Sequence, residues 1–274
     1  MIDFRYSLSD FIYPEESCFS SFDSQNIQMK RFKNKRILIT GGSSGIGLAG
    51  AKRLTEEGAD VIITGKTESH LKNAARILGE KATVFYSNAE DEKSSEKLAQ
   101  LIKETGEIDG LWLNSAIALG GELTEVSTET MKEIFQINVF TPMLQMALLA
   151  PYIRDGGSVL VTSSSSVYEG QPGVSLYSAS KAAMLSAARC WASELAPRNI
   201  RVNTLVPGPF ETNLRAKLPA DLRKQFEEEL AKTVLLRRIG RPDEAASVAA
   251  FLLSGDAGYI TGSSYSVDGG LLLM

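Results

Sequence analysis

A tyrosine and a lysine stand four residues apart at the start of a stretch with helical composition. Tyr177 and Lys181 open a run that is free of proline until Pro197. Because side chains at positions i and i+4 share one face of a helix, the phenol and the ammonium can project into one cleft. A free tyrosine has a pKa of about 10, and a nearby cation lowers that value by stabilising the phenolate. The pair predicts a tyrosine that exchanges a proton near neutral pH, as acid–base catalysis requires.

A glycine-rich turn provides the second candidate site. Residues 40–47 read TGGSSGIG, follow an apolar segment of strand length and open a helical segment. Glycines allow a tight turn and a close approach of the backbone, and a helix N-terminus offers free N–H groups to a phosphate. This context predicts a dinucleotide pyrophosphate site. Its predicted cofactor-binding residues are Gly41, Ser43, Ser44, Gly45, Ile46 and Gly47.

The same turn satisfies G-x-S-x-G, the nucleophile motif of α/β-hydrolases. A hydrolase of that kind needs a histidine late in the chain, whereas the only histidine, His70, follows Ser43 by 27 residues. The hydrolase interpretation is therefore disfavoured. A single histidine also argues against multi-histidine zinc sites, so no metal is predicted.

The elements that must position these residues alternate between strand and helix. Apolar runs of strand length occupy residues 36–40, 60–64, 82–86, 110–113, 158–162, 200–206 and 264–267. Helical patterns lie between them at 46–57, 68–78, 93–105, 128–150, 176–196 and 243–253. Short unbroken apolar strands separated by helices predict an α/β fold, a doubly wound, Rossmann-type parallel sheet of about seven strands with helices on both faces.

Two regions are expected along the chain. Residues 33–274 form the predicted dinucleotide-binding catalytic domain, and residues 1–32 an N-terminal extension, either flexible or an arm that packs on a neighbouring subunit. A misassigned gene start before Met29 is an alternative explanation of the extension. Residues 1–28 hold five acids and one base, and the rest of the chain balances at 28 of each, within a net charge of −4. A neutral domain gives no reason to expect a nucleic acid or an anionic membrane as partner.

The cysteine content and the lengths of the apolar runs bear on the compartment and on membrane association. Cys18 and Cys190 are the only cysteines, too few for a disulfide framework, which indicates a reducing compartment and a cytoplasmic location. No apolar run approaches the ~20 residues of a membrane span, and the N-terminus lacks the pattern of a signal peptide.

The end of the second strand bears on the choice of dinucleotide. An NAD site usually has an acid there, which binds the ribose 2′-hydroxyl. Here the sequence reads ITGKT, with no acid before Glu68, and Lys66 could pair with a 2′-phosphate. NADP(H) is therefore the predicted cofactor and NAD(H) the alternative, while a solvated surface role for Lys66 stays open.

Taken together, these motifs resemble the short-chain dehydrogenase/reductase family, in its compact single-domain branch. The resemblance covers about residues 33–270 and rests on motifs in the family's order. Besides the turn at 40–47, the matching positions are Asn114, Asn138, Ser164 thirteen residues before Tyr177, the pair Tyr177 and Lys181, the PGxxxT segment with Pro207, Gly208, Phe210 and Thr212, and the closing VDGG at 267–270. The PGxxxT segment resembles the family's nicotinamide clamp, so the resemblance implies that these four residues, and also Asn114, bind the cofactor. Ser115 and Ala116 depart from the family's usual Ala-Gly. Asn88 stands where the family often has an adenine-binding Asp, and it is predicted to bind the cofactor because an amide oxygen can still accept that hydrogen bond.

The resemblance implies roles for these residues. Tyr177 would donate or accept the proton, Lys181 would lower its pKa and hold the nicotinamide ribose, and Ser164 would bind the substrate oxygen. Asn138 would hold a water that relays protons to Lys181. Because Pro142 has no N–H, the carbonyl of Asn138 loses its i+4 donor, and we expect this freed carbonyl to bind the relay water. Simple helix curvature is the alternative role of the proline.

The implied activity is hydride transfer between the nicotinamide cofactor and a ketone or secondary alcohol. A non-catalytic, redox-sensing dinucleotide-binding regulator is the alternative, although such proteins commonly lose the tyrosine or the lysine. Sugar-nucleotide epimerases share Y-x-x-x-K but carry a larger C-terminal domain. The substrate pocket is expected at residues 117–121, 166–173 and 210–234, with a lid helix around 222–226. The family also implies a homotetramer or homodimer built on the helices at 128–150 and 176–196.

Overall fold

The computed structural model describes residues 30–212 and 220–273. Most of the predicted extension lies outside the described residues. So do Arg215 and Lys217, for which the sequence leaves two roles open, contact with an acidic substrate or, with more support, a solvated surface charge. Within them the strands are Arg36–Ile39 (β1), Asp60–Gly65 (β2), Ala82–Tyr86 (β3), Ile108–Leu113 (β4), Ile153–Thr162 (β5), Arg201–Pro207 (β6) and Ser264–Val267 (β7). The α-helices are Gly45–Glu56 (α1), Glu68–Leu78 (α2), Glu92–Thr105 (α3), Thr128–Phe135 (α4), Thr141–Leu149 (α5), Ser166–Glu169 (α6), Ser175–Leu195 (α7), Ala220–Lys232 (α8) and Pro242–Leu253 (α9).

The seven strands form one parallel sheet in the order β3-β2-β1-β4-β5-β6-β7. The chain first winds outwards from β1 to β3 and then returns to continue from β4 on the other side of β1. In such a sheet the ligand crevice opens where the order reverses, at the carboxyl ends of the strands. The predicted doubly wound fold is confirmed, and the crevice lies between β1 and β4.

Two hydrophobic cores cover the two faces of the sheet. One joins β1 and β2 to α1, α2 and α9, and the other joins β4 and β5 to α3, α5 and α7. Every residue of β4 is buried, which explains why the central strands read as unbroken apolar runs rather than alternating ones.

The last residues of the predicted extension are part of this folded unit. The Phe32 side chain is 2% exposed and belongs to the first core. Arg31 donates to Glu57 (2.6 and 2.9 Å) and to Asp256 (3.0 Å). Glu57 also accepts from Arg53, so one buried carboxylate connects Arg31, which precedes β1, to the end of α1.

The helix predicted over 128–150 contains a local irregularity. Residues Gln136–Phe140 form a π-helical turn between α4 and α5, and Pro142 lies in the first turn of α5. A π-helical turn often marks a functional position in a helix. By length and composition the segment Thr128–Tyr152 could cross a membrane, but half of its most apolar window is buried against the rest of the domain. Burial of that kind is typical of a core helix.

Candidate active site

The glycine-rich turn connects β1 to α1 as predicted. Gly41 and Gly45 adopt positive φ angles of 67° and 54°, which favour glycine. A Cβ atom at Gly47 would lie 2.4 Å from the carbonyl oxygen of Gly41, so the turn closes only without a side chain there. Within the described chain Ser44, the N-cap of α1, makes no capping bond with its side chain, which leaves the first N–H groups of α1 for a ligand.

Hydrogen bonds fix the turn to the strands on its other side. The hydroxyl of Thr40 accepts from the backbone N–H groups of Asn114 (3.0 Å) and Ser115 (3.2 Å), at the end of β4. The Asn114 amide donates to the carbonyl of Gly41 (3.4 Å) and accepts from the hydroxyl of Thr162 (3.1 Å). Asn114 therefore lies at the crevice as predicted and connects the turn to β5.

The tyrosine–lysine pair lies on α7. The Tyr177 side chain is half-buried and that of Lys181 is 3% exposed. The Nζ atom of Lys181 lies 5.9 Å from the centroid of the Tyr177 ring and donates to the carbonyl of Thr162 (3.0 Å). Burial lowers the pKa of Lys181 to about 8. The ammonium thus lies beside the phenol, next to the carboxyl end of β5, as the spacing predicts.

Ser164 lies in the loop that follows β5, between two contacts with α7. The preceding hydroxyl, on Ser163, donates to the carbonyl of Lys181 (3.0 Å), and the carbonyl of Ser166 accepts from the Ser178 hydroxyl (2.9 Å). The Ser164 hydroxyl accepts from the backbone N–H of Ser166 (3.2 Å). Because the loop is held against α7 on both sides of Ser164, this serine is brought to the part of α7 that carries the tyrosine–lysine pair.

Asn138 lies in the π-helical turn and is 1% exposed. Its amide pairs with the backbone of Ile117, accepting from the N–H and donating to the carbonyl (both 2.9 Å). The same amide donates to the hydroxyl of Ser180 (3.0 Å), which in turn donates to the carbonyl of Tyr177 (2.7 Å). Asn138 therefore joins the loop after β4 to α7 with its side chain, while the relay water at its main-chain carbonyl stays a prediction.

The PGxxxT segment follows β6. Thr212 lies against the turn, since a Cβ atom at Gly45 would be 3.5 Å from its side chain. The carbonyl of Pro207 accepts from the N–H of Ser165 (2.9 Å), and the N–H of Gly208 donates to the carbonyl of Val267 (2.9 Å).

Phe210 belongs to the first core, and a Cβ atom at Gly240 would lie 2.5 Å from its ring. The Phe210 side chain is therefore part of the core, and a cofactor contact at this residue stays a prediction. A 5% exposed ring fills the core beneath the clamp.

The two residues predicted to bind the adenosine half lie at the ends of β2 and β3. The Lys66 ammonium is exposed and pairs with Glu90 Oε1 (3.3 Å). The Asn88 amide donates to Glu90 Oε2 (3.3 Å) and accepts from the Glu90 N–H (3.2 Å). Lys66 thus directly follows β2, and its contact with a 2′-phosphate stays a prediction. The sequence does not reveal Glu90, the acid that meets Lys66 in the structure.

Two of the three segments predicted to form the substrate pocket meet just before α7. The N–H of Gly121 donates to the carbonyl of Gly173 (2.9 Å), which joins the loop after β4 to the one before α7. The predicted lid helix is part of α8, Ala220–Lys232. The connection between Thr212 and α8 lies outside the described residues.

Thr162 and Ser180 are site residues that the sequence analysis did not identify. Thr162 holds Lys181 through its carbonyl and Asn114 through its hydroxyl, and Ser180 connects Asn138 to Tyr177. No motif marks them, because their role depends on which strands and helices become neighbours.

These features fit a dinucleotide. The close turn, the uncapped start of α1 and the clamp at Thr212 form a cradle for phosphates, and the tyrosine–lysine pair lies farther along the same carboxyl edge. Within the described chain no group of three or more His, Cys, Asp or Glu side chains could hold a metal ion. The arrangement can donate or accept a proton beside the crevice where a dinucleotide fits.

Comparisons with known proteins agree with this geometry. The sequence profile of a family described as enoyl-(acyl carrier protein) reductase matches residues 41–272. The human protein named "Dehydrogenase/reductase SDR family member 4" is 37% identical over 244 residues, which cover 86% of this chain and 87% of the relative. A 3-oxoacyl-(acyl-carrier-protein) reductase of Thermotoga maritima is 34% identical over 250 residues, which cover 89% of this chain and 100% of the relative.

A solved structure shows the same agreement. The chain described as "Short-chain dehydrogenase/reductase SDR:Glucose/ribitol dehydrogenase" from Brucella melitensis is similar with a TM-score of 0.82 and 31% identity, over 88% of this chain and 98% of the other. From its turn, its sheet order, its tyrosine–lysine pair and these relatives, this chain belongs to the short-chain dehydrogenase/reductase family of oxidoreductases.

Proposed function

We propose that the protein transfers hydride between NADP(H) and a ketone or secondary alcohol, with Ser164, Tyr177 and Lys181 as its catalytic residues. The family uses NAD(H) or NADP(H) and acts on small molecules. The observation that carries the proposal is the buried Lys181 ammonium beside the Tyr177 ring. When bound, the nicotinamide supplies or accepts the hydride.

The residues divide the remaining chemistry between them. In reduction, the Tyr177 hydroxyl donates a proton to the carbonyl oxygen as hydride reaches the carbonyl carbon, and in oxidation it takes the proton back. The Ser164 hydroxyl donates a hydrogen bond to the same oxygen and stabilises its developing charge. Lys181 stabilises the phenolate of Tyr177, and a water at the Asn138 carbonyl passes protons to Lys181.

Lys66 supports the preference for NADP(H). It directly follows β2, where an NAD site usually has an acid, and its ammonium can pair with a 2′-phosphate. The same position gives NAD(H) no carboxylate from β2 itself, so NAD(H) is the less favoured cofactor.

A homo-oligomer, either a tetramer or a dimer, is part of the proposal. Large apolar side chains on the α4–α5 helix face solvent, among them Phe140 (56% exposed) and Met143 (44%). An exposed apolar patch of this kind is typical of an interface. A cytoplasmic location remains a prediction from the cysteine content.

Tyr177→Phe tests the mechanism. Consumption of NADPH or NADH is followed with a panel of ketones, a 3-oxoacyl thioester and an enoyl thioester, the thioesters being chosen because a matching family and a relative carry those names. With secondary alcohols, formation of NADPH or NADH from the oxidised cofactor is followed instead. Because general acid catalysis contributes about 10²- to 10⁴-fold, kcat should fall by that factor while NADPH affinity changes by less than about twofold. Full activity of the phenylalanine variant would refute the mechanism.

A further inference from the structure

A carboxylate from outside the recognised motifs meets the ammonium assigned to the 2′-phosphate. Glu90 Oε1 lies 3.3 Å from Lys66 Nζ, and both side chains are about half exposed. Glu90 follows β3, two residues after Asn88, and three separate contacts hold it. Its second oxygen accepts from the Asn88 amide (3.3 Å), and its backbone N–H donates to the Asn88 side-chain oxygen (3.2 Å).

The pair lies beside the glycine-rich turn. A Cβ atom at Gly65, the residue before Lys66, would lie 2.4 Å from the hydroxyl oxygen of Ser43, so the end of β2 packs directly on the turn. The N–H of Ser87 donates to the carbonyl of Gly65 (3.0 Å), which keeps the end of β3 level with the end of β2. Glu90 and Lys66 are therefore neighbours of the cradle, on its adenosine side.

We propose that Glu90 is a specificity-determining residue. Its carboxylate competes with a 2′-phosphate for Lys66 and thereby reduces the preference of the protein for NADP(H) over NAD(H). This inference rests on the proposed function. A 2′-phosphate must displace Glu90 from the ammonium or bind next to a second negative charge. A ribose hydroxyl faces no such conflict, since a carboxylate accepts a hydrogen bond from it.

The charge state of Glu90 is consistent with this competition. Hydrogen bonds from Asn88 and Lys66, together with the positive charge of Lys66, lower the pKa of the Glu90 carboxyl. The carboxylate is thus ionised at neutral pH, where it opposes a phosphate dianion. An amide in its place keeps the shape and removes the charge.

Binding of two matched ligands to the full-length protein tests the inference. Adenosine 2′,5′-bisphosphate and adenosine 5′-monophosphate differ only in the 2′-phosphate, and isothermal titration calorimetry measures both for wild type and for Glu90→Gln. We expect the affinity ratio of bisphosphate to monophosphate to rise by about 1.5- to fivefold, the range that an exposed ion pair spans. Glu56→Gln is the control. Glu56 is also an exposed acid, it forms an ion pair with Lys52 (3.8 Å), and it lies at the end of α1 far from the glycine-rich turn.

The same measurements in a Lys66→Gln background distinguish this inference from the cofactor proposal. If Glu90 acts through Lys66, most of the gain from Glu90→Gln should disappear when Lys66 is absent. If the bisphosphate-to-monophosphate affinity ratio rises no more in Glu90→Gln than in Glu56→Gln, the inference about Glu90 is overturned. In that case a fall in the same ratio in the single variant Lys66→Gln would still support the NADP(H) proposal. An unchanged ratio in Lys66→Gln overturns both.

Discussion

Replacing the buried lysine by methionine should make the protein more stable while it abolishes turnover. The Lys181 side chain is 3% exposed, and burial lowers its pKa from 10.5 to about 8. One pKa unit corresponds to about 1.4 kcal/mol, so keeping the ammonium charged in the fold costs about 3 kcal/mol at neutral pH. Methionine retains the length and the apolar stem of the side chain and removes this cost.

One loss offsets part of the gain. In Lys181→Met the carbonyl of Thr162 no longer accepts from the ammonium (3.0 Å), which costs about 1 kcal/mol. The net stabilisation is then about 2 kcal/mol, or about 5 °C in Tm for a domain of this size. Such a trade of stability for activity is expected where a charge is buried for catalysis.

The pH dependence gives the decisive measurement. Between pH 8 and about 10.5 the unfolded wild type still binds the Lys181 proton and the folded protein does not, so the stability of wild type rises with pH in this window. Titrating groups other than Tyr177, whose phenolate the Lys181 ammonium stabilises, are shared by both proteins and cancel in the difference. The advantage of Lys181→Met should therefore be full at pH 7 and should shrink steadily from pH 8 to pH 10.

Denaturant unfolding at a series of pH values provides the assay. Lys97→Met, which removes an exposed lysine of α3, is the control and should change stability by less than about 0.5 kcal/mol. If Lys181→Met were less stable than wild type at pH 7, or if its advantage did not change up to pH 10, the cost assigned to the buried ammonium would be wrong.

Two further predictions concern the glycine-rich turn and the ion pairs of Glu57. Gly47→Ala places a Cβ atom 2.4 Å from the Gly41 carbonyl, so NADPH affinity measured by fluorescence titration should fall at least about tenfold, whereas Gly255→Ala, in open space, should leave it unchanged. Equal affinities for the two variants would contradict this account of the turn. Burial opposes ionisation of Glu57, but hydrogen bonds from Arg31 and Arg53 outweigh it and lower its pKa below 4.5, so Glu57→Gln should lose about 2 kcal/mol at pH 7. A lowered carboxyl pKa stabilises the fold fully above the unfolded value, and this stabilisation is lost as the pH falls from there through the lower folded pKa. The deficit should therefore fade below about pH 4.5 in unfolding experiments, and a deficit that stays constant at low pH would contradict it.

Much of the fold could be predicted because its signals are local. The elements predicted at 68–78, 82–86 and 264–267 have the bounds of α2, β3 and β7, and most other predicted boundaries differ from the observed ones by one or two residues. Strand β5 begins five residues earlier than expected, at Ile153, because an arginine, an aspartate and two glycines precede its apolar run. The short helix α6 was missed, since its four residues carry no periodic pattern.

The same holds for the candidate site, where features that depend on neighbouring residues could be predicted and others could not. Spacing along a single helix was sufficient to pair Tyr177 with Lys181, and the strand–turn–helix order was sufficient to find the cradle. The π-helical turn at Asn138 was not predicted, although Pro142 marked the region, because a proline shows only that a donor is missing and not how the helix adapts.

By itself the sequence determined the fold class, the glycine-rich turn and the tyrosine–lysine pair, because each depends on residues close together in the chain. Only the tertiary structure decided that Thr162 holds the lysine, that Ser180 connects Asn138 to the tyrosine, that Phe210 is a core residue and that Glu90 meets Lys66. Those contacts join segments that are distant in the chain. They exist because the parallel sheet brings the carboxyl ends of its strands to one edge, where charge and hydrogen bonding depend on neighbours in space.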